Sequence, residues 1–244
     1  MTIKLNELIQ KSKNLVFFTG AGISTDSGIP DFRGPQGIWK TSTPIYFQDF
    51  ISSNDKRVES WERKFSNDLS IDSAAPNTGH KKIAEIMKTK EGSHLITQNV
   101  DNLHQNSGIQ EKQITELHGN ATYASCLDCN KRYELIELKQ DFLITHKPPS
   151  CTKCNGIIKT ATVSFGQAMP EAEMQLSQKK AIQSDVFICV GTSLAVFPAA
   201  DLPALAKETG AKLVIINNES TTLDHLADLV INRDISEVLS EITL

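Results

Sequence analysis

Four short apolar runs punctuate this chain, and a polar cluster closes each of them. Leu15-Val16-Phe17-Phe18-Thr19 leads into a glycine-rich loop, and His94-Leu95-Ile96-Thr97 into Gln98-Asn99-Val100-Asp101-Asn102-Leu103-His104. Residues 185–190 lead into Gly191-Thr192-Ser193, and residues 212–216 into Asn217-Asn218-Glu219-Ser220. Runs of this kind read as strands with turns or helices after them, which argues for an α/β fold. Parallel sheets place ligands at the carboxyl ends of their strands, so this order lets the four polar clusters converge on one crevice. Ahead of the first run, residues 1–10 predict a short amphipathic helix with Leu5, Leu8 and Ile9 on one face. Two stretches break the alternation. Residues 35–76 carry Trp39, Tyr46, Phe47, Phe50, Trp61 and Phe65 at helical spacing, and residues 123–159 are polar and cysteine-bearing. Both read as insertions into a nucleotide-binding domain.

Composition narrows this picture. A length of 244 residues suits one large domain or one domain carrying an inserted module, and 39% hydrophobic with 22% charged residues suits a globular chain. The formal net charge of −4 gives no electrostatic footprint for nucleic acid. The stretch 186–206 is broken by Pro198, Asp201 and Pro203, which excludes a comfortable membrane span, and the first residues hold no signal-peptide apolar region. A cytoplasmic location is the expectation.

Candidate chemistry begins at Gly20-Ala21-Gly22-Ile23-Ser24-Thr25. Glycines let backbone approach phosphates, and free N–H groups at a helix start supply donors. Thr25 nevertheless stands where the ordinary dinucleotide fingerprint places its third glycine, and Asp31-Phe32-Arg33 crowd the loop that follows. Cys126-Leu127-Asp128-Cys129 and Cys151-Thr152-Lys153-Cys154 form two knuckles 21 residues apart. Four such thiolates match one structural zinc ion with no open coordination position. Cys189 falls inside an apolar run and reads as core. His118, beside Gly119, has the chemistry of a general base, though a lone histidine needs no role. Asn99 and Asp101 suit either a helix cap or a ligand, and Asn217 and Glu219 either a turn or a ribose.

Taken together these segments resemble the sirtuins, which are NAD-dependent protein deacylases. The resemblance rests on residues 20–34, Pro76-Asn77 with His80, Thr97-Gln98-Asn99-Val100-Asp101-Asn102-Leu103-His104, His118-Gly119, the two cysteine pairs, Phe165-Gly166, residues 191–200, and Asn217 with Glu219. It implies a Rossmann-like parallel-sheet domain (1–34, 77–122 and 160–244) and a smaller domain built from a helical module (35–76) and a zinc-ribbon module (123–159). It implies NAD as co-substrate, with Gly20, Ala21, Gly22, Asp31, Phe32 and Arg33 toward its pyrophosphate and nicotinamide side. Gln98, Asn99 and Asp101 would order the nicotinamide and its ribose, Gly191, Thr192 and Ser193 the phosphate or adenosine ribose, Asn217 and Glu219 that ribose, and Ile235 the adenine edge. The implied catalytic set is His118, Asn99 and Asp101, with His118 as base toward a ribose hydroxyl. An acyl-lysine protein or peptide would lie along Val163, Ser164, Phe165 and Gly166. The implied products are nicotinamide, free lysine and an acylated ADP-ribose. The same electrophilic sugar carbon also admits mono-ADP-ribosyl transfer, and the same pocket a non-catalytic NAD sensor. The chain departs from the family pattern at Thr160, Ala161, Ser164 and Gln167, and at Arg233. Ser164, small where a bulky side chain is common, predicts tolerance of acyl groups longer than acetyl.

Overall fold

The computed structural model describes residues 2–34, 37–40, 42–66 and 71–243. Met1 of the expected amino-terminal helix, and residues 35, 36, 41 and 67–70 of the expected helical insertion, lie outside the described residues. Along the chain the strands are β1 (Leu15–Thr19), β2 (His94–Thr97), β3 (Ile114–Glu116), β4 (Gly119–Cys126) and β5 (Arg132–Glu134). They continue with β6 (Ile158–Thr162), β7 (Val186–Val190), β8 (Lys212–Ile216) and β9 (Leu229–Ile231).

Six of them form one parallel sheet in the order β3-β2-β1-β7-β8-β9. Every residue of β1, β2 and β7 is buried, as strands covered on both faces must be. Successive side chains serve opposite cores. Leu15, Phe17, Ile188 and Val214 enter one, packed by helices Thr2–Lys11, Thr78–Thr89 and Ile235–Ser240. Val16, Phe18, Phe187, Cys189 and Ile215 enter the other, with Ala181 and Leu202 from the helices Glu171–Gln183 and Leu202–Glu208. Cys189 is therefore core, as expected. No described helix is long and apolar enough to cross a membrane.

The sheet contains β3 and β9, which the sequence pattern did not single out. Each has three residues, too few for a periodic signal. A second difference lies after β1. The expected helix start is a seven-residue 3₁₀ segment, Ala21–Ser27, which ends at Gly28 with φ 82°, two residues before Pro30. Glycine accepts the left-handed conformation that terminates such a turn.

The remaining strands form an antiparallel sheet, β5-β4-β6. Its core joins Ala124, Cys126, Tyr133, Cys151 and Ile158 to Trp61 and Phe65 of the helix Asn54–Phe65. Trp61 and Phe65 stack at 5.3 Å, and Phe142 meets Phe65 at 5.6 Å. Two stretches far apart in sequence thus share one apolar interior, separate from the cores that flank the parallel sheet.

The parallel sheet reverses direction between β1 and β7. The chain leaves β1 toward β2 and β3, and leaves β7 toward β8 and β9, which opens a crevice at the strand ends. Glycines line it because two loops touch there. Gly20 N–H donates to the Val190 carbonyl at 3.0 Å, and Gly22 N–H to the Gly191 carbonyl at 2.8 Å. A Cβ on Gly191 would stand 2.4 Å from Ile23 N, and Gly191 also has φ +63°. Gly210 shares a positive φ, +105°, in open space. Gly191→Ala is expected to cost about 3 kcal/mol or more in denaturant unfolding, and Gly210→Ala about 1 kcal/mol. Equal losses would show that crowding at the loop contact is unimportant.

His94 supplies a pH signature for the same sheet. It is buried, with Nε2 2.8 Å from Thr115 Oγ1. Burial, helped by the charge of Lys180, pushes its pKa down to about 4. The unfolded chain, near 6.5, binds that proton more readily, so stability is complete above pH 6.5 and falls as pH drops toward 4. This group contributes about 3 kcal/mol of that fall. Urea titrations of His94→Gln should show an acid loss smaller by about that amount; an unchanged loss would contradict the assignment.

Candidate active site

His118 lies between β3 and β4, at the carboxyl end of the sheet. Its Nδ1 is 3.0 Å from the Gln98 carbonyl oxygen. A carbonyl only accepts, so Nδ1 carries the hydrogen and Nε2 keeps its lone pair. Burial lowers the His118 pKa below 6.5, the Gln98 contact opposes this, and the charge of Arg33 adds to the lowering. The ring is therefore neutral near pH 7, with its basic nitrogen unprotonated.

Gln98 itself donates from Nε2 to Thr192 Oγ1 at 2.9 Å, which ties the loop after β2 to the loop after β7. Asn99 and Asp101 follow, both buried. Asn99 N–H donates to Thr97 Oγ1 at 3.0 Å, and its Nδ2 donates to Ser24 Oγ at 3.2 Å. Ser24 Oγ donates to Asp101 Oδ2 at 2.6 Å, while Asp101 Oδ1 accepts from Leu103 N–H at 3.0 Å. Asp101 is not the N-cap of the helix Leu103–Asn106, which is Asn102; it accepts from the first helical N–H from one residue outside, and its other oxygen belongs to the crevice. Asn99 Oδ1 is buried and has no hydrogen-bond partner among the described residues. An orphaned acceptor of this kind is costly unless a ligand or water completes it.

The loop after the 3₁₀ segment contributes an aromatic wall. Asp31 Oδ1 accepts from Gly34 N–H at 2.9 Å, holding the turn that carries Phe32 and Arg33. Phe32 stacks on Trp39 at 5.2 Å, and Trp39 meets the edge of Phe165 at 5.8 Å. Tyr46 stands 6.0 Å from Phe165, and Phe47 N–H donates to the Phe165 carbonyl at 2.9 Å. The segment 163–166 is anchored to His118: Val163 N–H donates to the His118 carbonyl at 2.8 Å. Ser164 N–H donates to Gln167 Oε1 at 3.1 Å, and Gly166 adopts φ +78°.

The residues expected on the adenosine side follow β7 and β8 or open the last helix. Gly191 and Thr192 are buried, Ser193 is exposed, and Ile235 lies against Gly191. Asn217 donates from Nδ2 to the Glu219 carbonyl at 2.8 Å, an ordinary turn contact, and Glu219 is exposed. Ala21 is half-buried beside these loops.

Sequence reasoning gave no role to Ser24, His80, Trp39 or His104. Ser24 and His80 lie within the motifs that carry the resemblance, but their partners are 77 and 56 residues away along the chain. His104 Nε2 lies 2.9 Å from Thr19 Oγ1, which in turn donates to Thr97 Oγ1 at 2.9 Å.

Away from the crevice, the four Sγ atoms of Cys126, Cys129, Cys151 and Cys154 lie within 4.8 Å of one another. The pairs Cys126–Cys154 and Cys129–Cys151 stand at 3.5 and 3.6 Å. Tetrahedral coordination with Zn–S bonds of about 2.3 Å places sulfurs about 3.8 Å apart, so these thiols fit a structural zinc ion. Tyr133 Oη and Lys153 N–H approach Cys151 Sγ at 3.1 and 3.4 Å, donors that suit a thiolate.

A switch-point crevice with a neutral histidine, a buried amide–carboxylate pair and a four-thiol ribbon attached defines a Rossmann-like nucleotide-binding enzyme. The Sir2 family model matches residues 20–198, and the chain belongs to that family. It is 50% identical over 236 residues to a protein of Rhodopseudomonas palustris named NAD-dependent protein deacetylase, covering 97% of this chain and 93% of that one. It is 39% identical over 241 residues to NAD-dependent protein deacylase 2 of Archaeoglobus fulgidus, covering 98% and 93%. A solved structure of Sir2 with a p53 peptide and NAD+ superposes with TM-score 0.85 at 33% identity, covering 98% of this chain and 96% of that one.

Proposed function

We infer that this chain is an NAD-dependent protein lysine deacetylase of the deacylase class, which passes the acyl group from lysine to ADP-ribose and releases nicotinamide. The observation that carries the reading is His118, with Nδ1 fixed on the Gln98 carbonyl and Nε2 left as acceptor. Bound NAD would supply an electrophilic sugar carbon, at which a bond to the acyl-lysine carbonyl oxygen would replace the bond to nicotinamide, the leaving group. Asn99 and Asp101 hold the nicotinamide end, and Asn99 Oδ1, without a partner among the described residues, is an acceptor available to it. His118 Nε2 takes a proton from a ribose hydroxyl, a transfer suited to a neutral imidazole. Gly20, Ala21, Gly22 and Arg33 face the pyrophosphate side, and Gly191, Thr192, Ser193, Asn217, Glu219 and Ile235 the adenosine side. Phe32, Trp39 and Phe165 exclude water from the acyl-lysine, whose backbone pairs along Val163, Ser164 and Gly166. The zinc ion holds structure and takes no part in the chemistry.

The same reading assigns residues 1–34, 77–122 and 160–244 to the NAD-binding domain, and 35–76 with 123–159 to the small domain. The core shared by Trp61, Phe65 and the ribbon supports that pairing. Four thiols placed for metal suit a reducing compartment, in keeping with a cytoplasmic location.

The test is an acetyl-lysine peptide with NAD, read for nicotinamide and deacetylated peptide by mass spectrometry. Absence of turnover across several acyl chains would overturn the reading, and a retained ADP-ribose adduct would mark transfer to protein instead. Ser164 adds a prediction: butyryl-lysine peptide should react with a kcat/KM within about tenfold of acetyl, because one apolar contact is worth that order of discrimination. A sharp acetyl-only preference would refute it.

A further inference from the structure

Lys159 takes no part in the steps above, yet it lies in β6 only 5% exposed. An ammonium is costly at such depth unless its donors are met. Burial alone pulls its pKa down to about 8, and no acidic group pairs with it among the described residues. Its register partner on β4 is Ser125, and Arg132 of β5 pairs with Ser125 in turn, so the row across the sheet at this level holds no carboxylate. Nζ instead donates to the Thr162 carbonyl and approaches the Thr160 carbonyl at 3.4 Å.

The strand pairing explains why carbonyls here need a side-chain donor. Thr160 pairs with Ala124 and Thr162 with Gly119, so residues 120–123 of β4 stand against Ala161 alone. A bulge of this kind interrupts the ladder of backbone hydrogen bonds. Within it Ala121 N–H donates to the Val100 carbonyl at 2.7 Å, and Thr122 N–H to Asn120 Oδ1 at 2.9 Å. Both donors turn away from β6, and the Lys159 ammonium serves the carbonyls of β6 in their place.

The Thr162 carbonyl and the Val163 N–H belong to one planar peptide group. The His118 carbonyl holds the N–H end at 2.8 Å, and Lys159 holds the oxygen end. We propose that Lys159 is a positioning residue for the acyl-lysine peptide: by holding the Thr162 carbonyl it fixes, together with the His118 backbone, the peptide plane from which residues 163–166 extend to pair with the substrate. With the oxygen end free, that plane turns about its flanking bonds, and the pairing edge of Val163 and Ser164 turns with it. The loss falls on peptide binding, because the hydrogen bonds joining the loops after β1, β2 and β7 do not involve Lys159. This inference rests on the placement of the acyl-lysine peptide along Val163, Ser164 and Gly166.

The experiment measures kcat and KM for an acetyl-lysine peptide, and NAD affinity by calorimetry, in wild type, Lys159→Met and Lys159→Arg. K159M, similar in length and without donors, is expected to raise peptide KM about tenfold, the worth of one hydrogen bond from a charged donor, while NAD affinity stays within about twofold. K159R, which keeps a charged donor, should bring peptide KM back to within about threefold of wild type. Urea unfolding of each variant reports the folded fraction. A purely structural role would lower apparent kcat in step with that fraction and leave peptide KM unchanged. Should K159M fail to fold, Lys159→Gln, whose donors end about one bond short of the Thr162 carbonyl, replaces it with the same expected rise. An unchanged peptide KM, equal losses toward NAD and peptide, or an arginine variant as impaired as the methionine one would overturn the proposal while leaving the deacetylase reading intact. Wild-type protein that binds no acyl-lysine peptide and never deacylates it would overturn both.

Discussion

His118→Ala is expected to lower kcat/KM for deacetylation by about 10²–10⁴-fold, the range for loss of a positioned general base. The fold should persist, because the hydrogen bond lost is the one to the Gln98 carbonyl, made by a side chain outside the apolar cores. The pH profile tests the same assignment in the wild type. In the proposed role the active form is the neutral ring, and burial holds the His118 pKa below 6.5. The acid limb of kcat/KM therefore lies below pH 6.5, with activity lost as pH falls through the folded-state pKa. A limb above that pH, or alanine-variant rates near wild type, would remove His118 from the role. Comparing nicotinamide release with peptide deacetylation in H118A refines it. A base that acts on the ribose hydroxyl after nicotinamide departs leaves release less affected than product formation.

Metal removal should have the other large effect, and for a different reason. Structural zinc in small ribbons contributes about 10–16 kcal/mol of folding free energy, beyond what one apolar cluster replaces. Cys126 and Cys151 are themselves part of the core that contains Trp61 and Phe65. Chelation should consequently release the helix Asn54–Phe65 along with the ribbon, and the buried Trp61 should shift its emission to longer wavelength. Activity should be lost through unfolding of this module, with the His118–Gln98 geometry on the separate sheet left in place. Elemental analysis should find about one zinc per chain. Far less metal, or chelated protein with unchanged fluorescence and turnover, would refute the zinc assignment.

Much of the sheet was legible because strands buried on both faces need continuous apolar residues, and β1, β2, β7 and β8 have them. The clusters after those strands were legible for the same reason: chemistry in such folds gathers at strand ends. The cysteine pairs needed only their spacing, since a tetrahedral metal site constrains local chain geometry. β3 and β9 escaped notice at three residues each. The 3₁₀ form of Ala21–Ser27 escaped because a glycine-rich turn is compatible with either helix type.

The site divides along the same line. Residue types and local order determined by themselves that His118, Asn99, Asp101 and the glycine loops were candidates, since each stands next to a strand end or a turn. Only the tertiary structure decided what each atom does. The Nδ1 hydrogen of His118 depends on a carbonyl 20 residues away, and the Asp101 oxygens on Ser24, 77 residues away. The glycines at 22 and 191 face each other's backbones across the switch point. Hydrogen-bond direction and close backbone approach are set by groups brought together across strands, and no sequence interval encodes that distance.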